Sequence, residues 1–280
     1  MASDSVACLL NPGLICTFVN GILLLYHYRY VKYRLYKNDL ELYTPFAIIQ
    51  RRNLDYKDIM SINLPLKIDN LFCNPVYSLL MPTFLNEVNK ISDRYIEEAK
   101  KNNQPLIDER NKLLGKDLKD FGIVHHSKFM GNDPELKEFK AFIKDTSYTI
   151  LQEQGYDLSG HKLYFKDLWV QEFPKAGGGE HWPHVHESSH ISGFYFLKCS
   201  SKTSMPVFHD PRTAKWITEL PMKKGSLQYA YNRFEYPVLP GTFVFFNSYL
   251  THQYVLDAGI EPFRFVHFNV QCFRPYEENV

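Results

Sequence analysis

The run Pro240-Gly241-Thr242-Phe243-Val244-Phe245-Phe246-Asn247-Ser248-Tyr249-Leu250-Thr251-His252 reads as a turn, an apolar strand, a polar break and a histidine. Thr242 to Phe246 are all β-branched or aromatic, the residue types that pack on a pleated surface. Pro-Gly before them and Asn-Ser after them are turn chemistry. Three other stretches have the same character: Leu163–Phe173, Ile191–Lys198 and Pro262–Phe273. Clusters of Gly, Pro, Asp and Asn separate them. More than half of the aromatic residues lie between Tyr164 and Tyr276, so the largest core-forming side chains belong to this strand-rich part.

Upstream the period changes. Leu80, Phe84, Val88, Ile91, Tyr95 and Ile96 recur near helical spacing, which predicts a helix over 79–100. Lys101 to Lys119 reads as a polar loop or short helix, and Phe121 to Val124 as a short strand. Asp133-Pro134-Glu135 has a capping side chain, a proline for the first turn and an acid for the positive end of the dipole. The helix that it opens should run to about Gln154 and stop near Gly155. Helices gathered ahead of a succession of strands indicate an α+β protein built on a β-sandwich or barrel.

The chain has 280 residues, 45% of them hydrophobic, with 32 basic residues against 31 acidic. That composition supports a sizeable core and excludes a disordered chain. Near-zero net charge also argues against a nucleic-acid binder, which needs a basic excess to displace counterions. No repeat or long linker is visible. The economical division is an apolar and basic extension over 1–40 and one domain over 41–280, with helical support at 75–155 and strands at 160–275.

Leu14 to Tyr26 is mostly apolar, but it is short of the roughly 20 residues a spanning helix needs. It reads as a buried or interfacial helix. Membrane contact through 14–37 is the alternative, because Arg29, Lys32, Arg34 and Lys37 follow. No positive charge precedes the apolar run, so it is not a secretory signal. The 5 cysteines are scattered and lack a C-x-x-C pair, which points to a reducing compartment, the cytoplasm.

Eight of the 11 histidines lie from His161 onward. The densest group follows a glycine turn: Gly177-Gly178-Gly179-Glu180-His181-Trp182-Pro183-His184-Val185-His186-Glu187. On an extended chain His184 and His186 project to the same side, so they can converge on one ion. Imidazole suits Fe, Zn, Cu and Ni. His252 supplies a third nitrogen from the strand–break–histidine run. Arg264 follows on a strand whose alternation puts it with Val266, Phe268, Val270 and Cys272, opposite His267, Asn269 and Gln271. An arginine on a buried face needs an anion, either a bound carboxylate ligand or a remote acid of the chain.

In this layout the chain resembles the Fe(II)/2-oxoglutarate-dependent dioxygenases, in particular a branch found in phages and marine microbes and distantly similar to prolyl hydroxylases. The resemblance rests on His184-Val185-His186, Ile191 to Leu197, Asp210-Pro211-Arg212, Pro240 to His252 and Arg264 to Asn269. It covers roughly Phe121 to Phe273. It implies a double-stranded β-helix, a jelly-roll or cupin-like barrel, with Fe(II) at its open end. By position, His184 and His252 match the two iron-binding histidines, and Arg264 matches the residue that holds the distal carboxylate of 2-oxoglutarate. His186 stands where the wider superfamily has Asp or Glu, and Glu187 is the second choice for that ligand. Ser192 is a candidate hydrogen-bond donor to 2-oxoglutarate, and Asp210 and Arg212 are candidates for substrate contact or support of the site.

The resemblance further implies hydroxylation of an unidentified substrate, peptidyl or amino-acid in kind, using 2-oxoglutarate and O2 and releasing succinate and CO2. Trp169, Trp182, Tyr195 and Tyr249 could line the substrate pocket. Two other readings stay open: a three-histidine zinc metallohydrolase, and a catalytically inactive metal-binding β-barrel.

Overall fold

The computed structural model describes residues 72–218, 220–221 and 230–275, together with the backbone of four short strands nearer the N-terminus. The chain divides into two compact units, Met1–Cys73 and Asn74–Val280, so the boundary falls well beyond residue 40. In the first unit β1 (Ala7–Asn11), β2 (Leu14–Val19), β3 (Ile22–His27) and β4 (Leu35–Tyr36) form an antiparallel sheet in that order. The apolar run Leu14–Tyr26 is therefore a hairpin and not a helix. Val19 pairs with Ile22, and β2 and β3 are antiparallel along their length. The basic residues Arg29, Lys32, Arg34 and Lys37 lie outside the described residues. No helix among the described residues is long and apolar enough to cross a membrane.

The second unit opens with β5 (Val76–Leu80) and a long helix α1 (Leu85–Leu114). The helix begins later than its apolar spacing predicts and continues to Leu114, through most of the stretch read as a polar loop or short helix. It carries Pro105 in its interior and ends at Gly115, whose φ of 59° gives the left-handed cap that favours glycine. Its polar second half is held by Asn103, which donates to the Val124 carbonyl, and by buried Ile107. The short strand β6 is His125–His126, one step beyond the predicted 121–124. Helix α2 (Lys137–Glu153) follows a 3-10 turn at Pro134–Leu136, and the Asp133 side chain caps that turn by accepting from the Glu135 N–H at 3.0 Å.

Eight strands complete the chain: β7 (Lys162–Glu172), β8 (Gly179–His184), β9 (Ile191–Lys198), β10 (Pro206–His209), β11 (Arg233–Glu235), β12 (Thr242–Asn247), β13 (His252–Asp257) and β14 (Arg264–Phe273). They are shared between two antiparallel sheets, alternating except that β10 and β11 are paired neighbours in one of them. One has the order β5-β12-β9-β14-β7-β6 and the other β11-β10-β13-β8. This is the double-stranded β-helix, a jelly roll extended at both edges of its larger sheet.

The larger sheet is buried on both faces. Its inner face, with Phe194, Phe196, Phe246 and Phe265, packs on Phe208 and Tyr254 of the smaller sheet. Its outer face, with Leu168, Tyr195, Phe243, Val266 and Phe268, packs on Ile91 and Ile96 of α1 and Phe139 and Ile143 of α2. Burial on both faces is why these strands are apolar at consecutive positions.

Arg264 belongs to the outer face. It is 4% exposed, and its guanidinium donates to Glu172 Oε2 from Nε at 2.8 Å and to Asp93 of α1 from Nη1 at 2.5 Å. Lys100 of α1 reaches the other oxygen of Glu172. Burial works to raise the Glu172 carboxyl, and Lys100 and Arg264 together outweigh it and hold the group below its ordinary value. The cluster ties α1 to β7 and β14. Arg264→Met leaves Glu172 buried with one partner removed, so a loss of about 3–5 kcal/mol is expected in urea unfolding. Arg264→Met combined with Glu172→Leu should recover most of it, whereas a single variant as stable as the parent would contradict this role.

Candidate metal centre

A glycine turn, the end of β8 and the start of β13 build the site. Gly177 and Gly178 have φ of 85° and 84°, and a Cβ on Gly177 would meet the Ala258 carbonyl oxygen at 2.8 Å. Only glycine lets this turn lie against the β13–β14 connection, and the Gly178 N–H donates to the Asp257 carbonyl at 2.8 Å. From there β8 pairs with β13, and His184 falls directly opposite His252. His186, two residues past the strand, is fixed by its N–H donating to the Ser248 carbonyl at 3.0 Å.

One nitrogen from each of His184, His186 and His252 lies within 4.8 Å of the others. Among the described residues no carboxylate joins them in that group. Glu187 is exposed and outside it, with its backbone carbonyl accepting from Lys166 at 2.6 Å. Nδ1 of His184 faces the Trp182 carbonyl at 2.7 Å, and Nδ1 of His252 faces the Leu250 carbonyl at 3.0 Å. A carbonyl only accepts, so both rings carry their hydrogen on Nδ1 and present an Nε2 lone pair. Backbone carbonyls behind ligand histidines are the usual way to orient a metal site.

Several neighbours lie within the same barrel interior. Asn269 Nδ2 donates to Asp167 Oδ2 at 2.8 Å and lies 3.2 Å from Nδ1 of His186, while its carbonyl oxygen accepts from Ser192 at 2.6 Å. The Ser192 oxygen also lies 2.8 Å from that of Ser248. Ser192 is thus committed within the protein, behind Asn269, and is not a free donor to a co-substrate. The His267 ring is 4.5 Å from that of His186 and 4.4 Å from Trp169. His126 stacks over Trp169 at 3.9 Å.

Arg264 is not brought to this cluster. The two-residue period of β14 turns it toward α1, and Glu172 and Asp93 supply the anion that the sequence left open between a ligand and an acid of the chain. Asp210 is bonded locally, accepting from Arg212 Nε at 2.9 Å and Nη2 at 2.7 Å, and the Arg212 fork holds its carboxyl down at about 2. Tyr195 sits on the helix side of the larger sheet, donating to the Met81 carbonyl at 2.9 Å, and so lines no pocket at the histidines. Trp182 is 77% exposed, and Tyr249 is also exposed. The residues that sequence reasoning missed are Asp167, Gln171, His267 and Asn269. Their signal was the other face of β7 and β14, which carries their polar side chains at alternate positions.

Burial lowers four histidines of this interior. His181 and His186 fall to about 4, first by desolvation and then by neighbouring histidines; His252 and His267 are pushed well below the ordinary value for the same reason. These rings are neutral in the fold, while the unfolded chain takes up protons near the ordinary 6.5. Protons therefore favour unfolding. The stability these rings contribute is intact above about pH 6.5 and is lost as pH falls toward 4. The melting temperature of the metal-free chain should drop steadily over that interval, and a flat profile would contradict neutral burial.

Residues 167–265 match the family model described as "Putative 2OG-Fe(II) oxygenase". A comparison with curated protein sequences finds no match. Among solved structures, the chain is similar to a Pseudomonas putida prolyl-4-hydroxylase at 12% identity and a TM-score of 0.41, over 71% of this chain and 93% of that one. It is similar to the non-heme alpha ketoglutarate dependent epimerase SnoN from nogalamycin biosynthesis at 13% identity and 0.45, over 72% and 79%. For EctD from S. alaskensis the values are 11% and 0.44, over 71% and 73%. Likenesses at these TM-scores carry no argument about substrate. The matched segment runs from β7 to β14 and contains all three histidines.

Proposed function

We propose that this 2-oxoglutarate–Fe(II) oxygenase holds its iron through His184, His186 and His252 and hydroxylates a peptidyl or amino-acid substrate. Iron and 2-oxoglutarate are the cofactors of the family matched, and together with dioxygen they supply the oxidising chemistry that yields succinate and carbon dioxide. The observation that carries the proposal is the convergence of three imidazoles, two with tautomers set by backbone carbonyls, at the junction of β8 and β13.

The donor set fits the metal. Three nitrogen ligands, two from adjacent strands and one from the segment after β8, leave positions open for other groups. Neutral rings bind without first losing a proton, so affinity should hold at neutral pH and fall in acid. The interior also fits an acceptor-rich ligand, because the unpartnered buried polar atoms there include Tyr254 Oη and both His267 nitrogens. The aromatic lining, from Phe194 and Phe246 to Trp169, keeps water from that interior. Trp182 and Tyr249, exposed beside His184 and Ser248 in the chain, are the apolar surfaces offered to substrate.

The test is reconstitution. The full chain loaded anaerobically with Fe(II) and 2-oxoglutarate should form succinate once oxygen and a panel of peptides or amino acids are admitted. His252→Ala should lower the rate by at least about 100-fold, and His184→Ala similarly, through loss of metal. Succinate output equal in parent and His252→Ala would exclude this site. Hydrolysis supported by zinc, without succinate from iron, would instead favour the metallohydrolase reading.

A further inference from the structure

Arg264 is the only buried lysine or arginine among the described residues, and its charge is already met by Glu172 and Asp93 on the helix side of β14. Among the described residues the barrel interior beside the histidines therefore holds no buried lysine or arginine to meet a carboxylate; Lys166, exposed, is taken up by the Glu187 carbonyl. It does have unpartnered polar groups. Of the buried side-chain atoms that lack a hydrogen-bond partner among the described residues, four belong to Gln171, Tyr254 and His267 on the inner faces of β7, β13 and β14. Buried polar groups are almost always satisfied, and a cluster of exceptions in one interior marks an absent occupant.

All three side chains can donate. The Tyr254 hydroxyl is one donor. His267 is 1% exposed, and a ring nitrogen gives a second. Gln171 Nε2 is drawn 2.5 Å from Nε2 of His181, which is short for two nitrogens. With the amide turned over, its oxygen accepts from His181 and its NH2 becomes the unpartnered donor. His267 lies directly against His186, and one step along the pleat Gln171 pairs with Phe265 in the same sheet. Tyr254 pairs with His181 in the facing sheet. The donors thus run from the metal ligands inward along the barrel.

We infer that the far carboxylate of 2-oxoglutarate is held by these neutral donors, Gln171, Tyr254 and His267, and not by Arg264. The inference rests on the proposed iron site and deepens it. An interior of neutral donors discriminates weakly between a carboxylate and a carboxamide, whereas an arginine fork discriminates strongly.

The experiment is equilibrium binding on the full chain, loaded with Zn(II) or Mn(II) so that no turnover occurs. Trp169, stacked on His126 and His267, provides a fluorescence signal. Metal uptake by the parent and 2-oxoglutarate binding to it test the site itself, and failure of either removes the site and this inference together. With both established, Tyr254→Phe and Gln171→Leu should each weaken 2-oxoglutarate about 10-fold or more with metal affinity unchanged. The double variant Arg264→Met with Glu172→Leu, chosen to stay folded, should bind within about 3-fold of the parent. The parent should also bind 2-oxoglutaramate, the far-end amide, within about 10-fold of 2-oxoglutarate. Loss of binding in the Arg264 double variant, with Tyr254→Phe and Gln171→Leu binding as the parent does, would overturn the inference and return the anchor to Arg264.

Discussion

Strand β14 is covered on both faces, and its pleat divides ten residues into two sets that never mix. Arg264, Val266, Phe268, Val270 and Cys272 go to the helices. Phe265, His267 and Asn269 go into the barrel, between Trp169 and Phe194 on one side and His186 on the other. A shift of one residue would exchange the sets, driving an arginine into an aromatic interior and three polar groups into the helix layer. The pairing with β7 and β9 forbids that shift over the whole strand, apart from one irregularity in each ladder. The ion cluster at its first residue then locks α1 to the same register, because Arg264 can meet Glu172 and Asp93 only from the outer face.

The metal centre depends on that register indirectly. His184 and His252 face each other through the β8–β13 ladder, but His186 lies beyond the strand and needs other supports. It has two: the backbone bond to Ser248 and the Asn269 amide, itself held by Asp167 and Ser192. Each of these comes from the larger sheet or its loops. The third imidazole is therefore placed by the sheet opposite the one that carries the other two, so the site exists only when the two sheets are packed.

Much of this was legible in the residues. Ile191–Lys198 is a strand with those same bounds, and Thr242–Asn247 and Lys162–Glu172 differ from their predicted spans by a residue at either end. The sandwich was visible because continuous aromatic and β-branched runs have no other stable use in a chain of this composition. The four strands of the smaller sheet were not named as strands. They are short, β8 and β10 carry Pro183 and Pro206, and β8, β11 and β13 have exposed positions, so their apolar signal is diluted. The three histidines were legible from spacing alone. The role of Arg264 was not, because alternation shows which residues share a face without showing which face is which. The more apolar face seemed the natural interior of the barrel, yet it is the one that meets the helices, and the barrel interior is more polar because it contains the site. The first sheet was hidden as well: the apolar run Leu14–Tyr26, read as a buried or interfacial helix, holds two paired strands.

A histidine cluster that no carboxylate joins, in an interior without a buried lysine or arginine among the described residues, has an electrostatic consequence. Three neutral imidazoles add no charge, and the nearest carboxylate, Asp167, touches His186 only through an amide. A lone divalent cation in such a place loses hydration without gaining an opposite charge, which is costly in a medium of low polarity. A lone dianion has the mirror problem. The two together are close to neutral, so each lowers the cost of admitting the other. The proposed site would on this ground take metal and 2-oxoglutarate as a pair and hold either one alone less well. His186 where the resembled family has a carboxylate, and an arginine turned to the helices, would then be one change rather than two, since removing one charge from each side of the site preserves its balance.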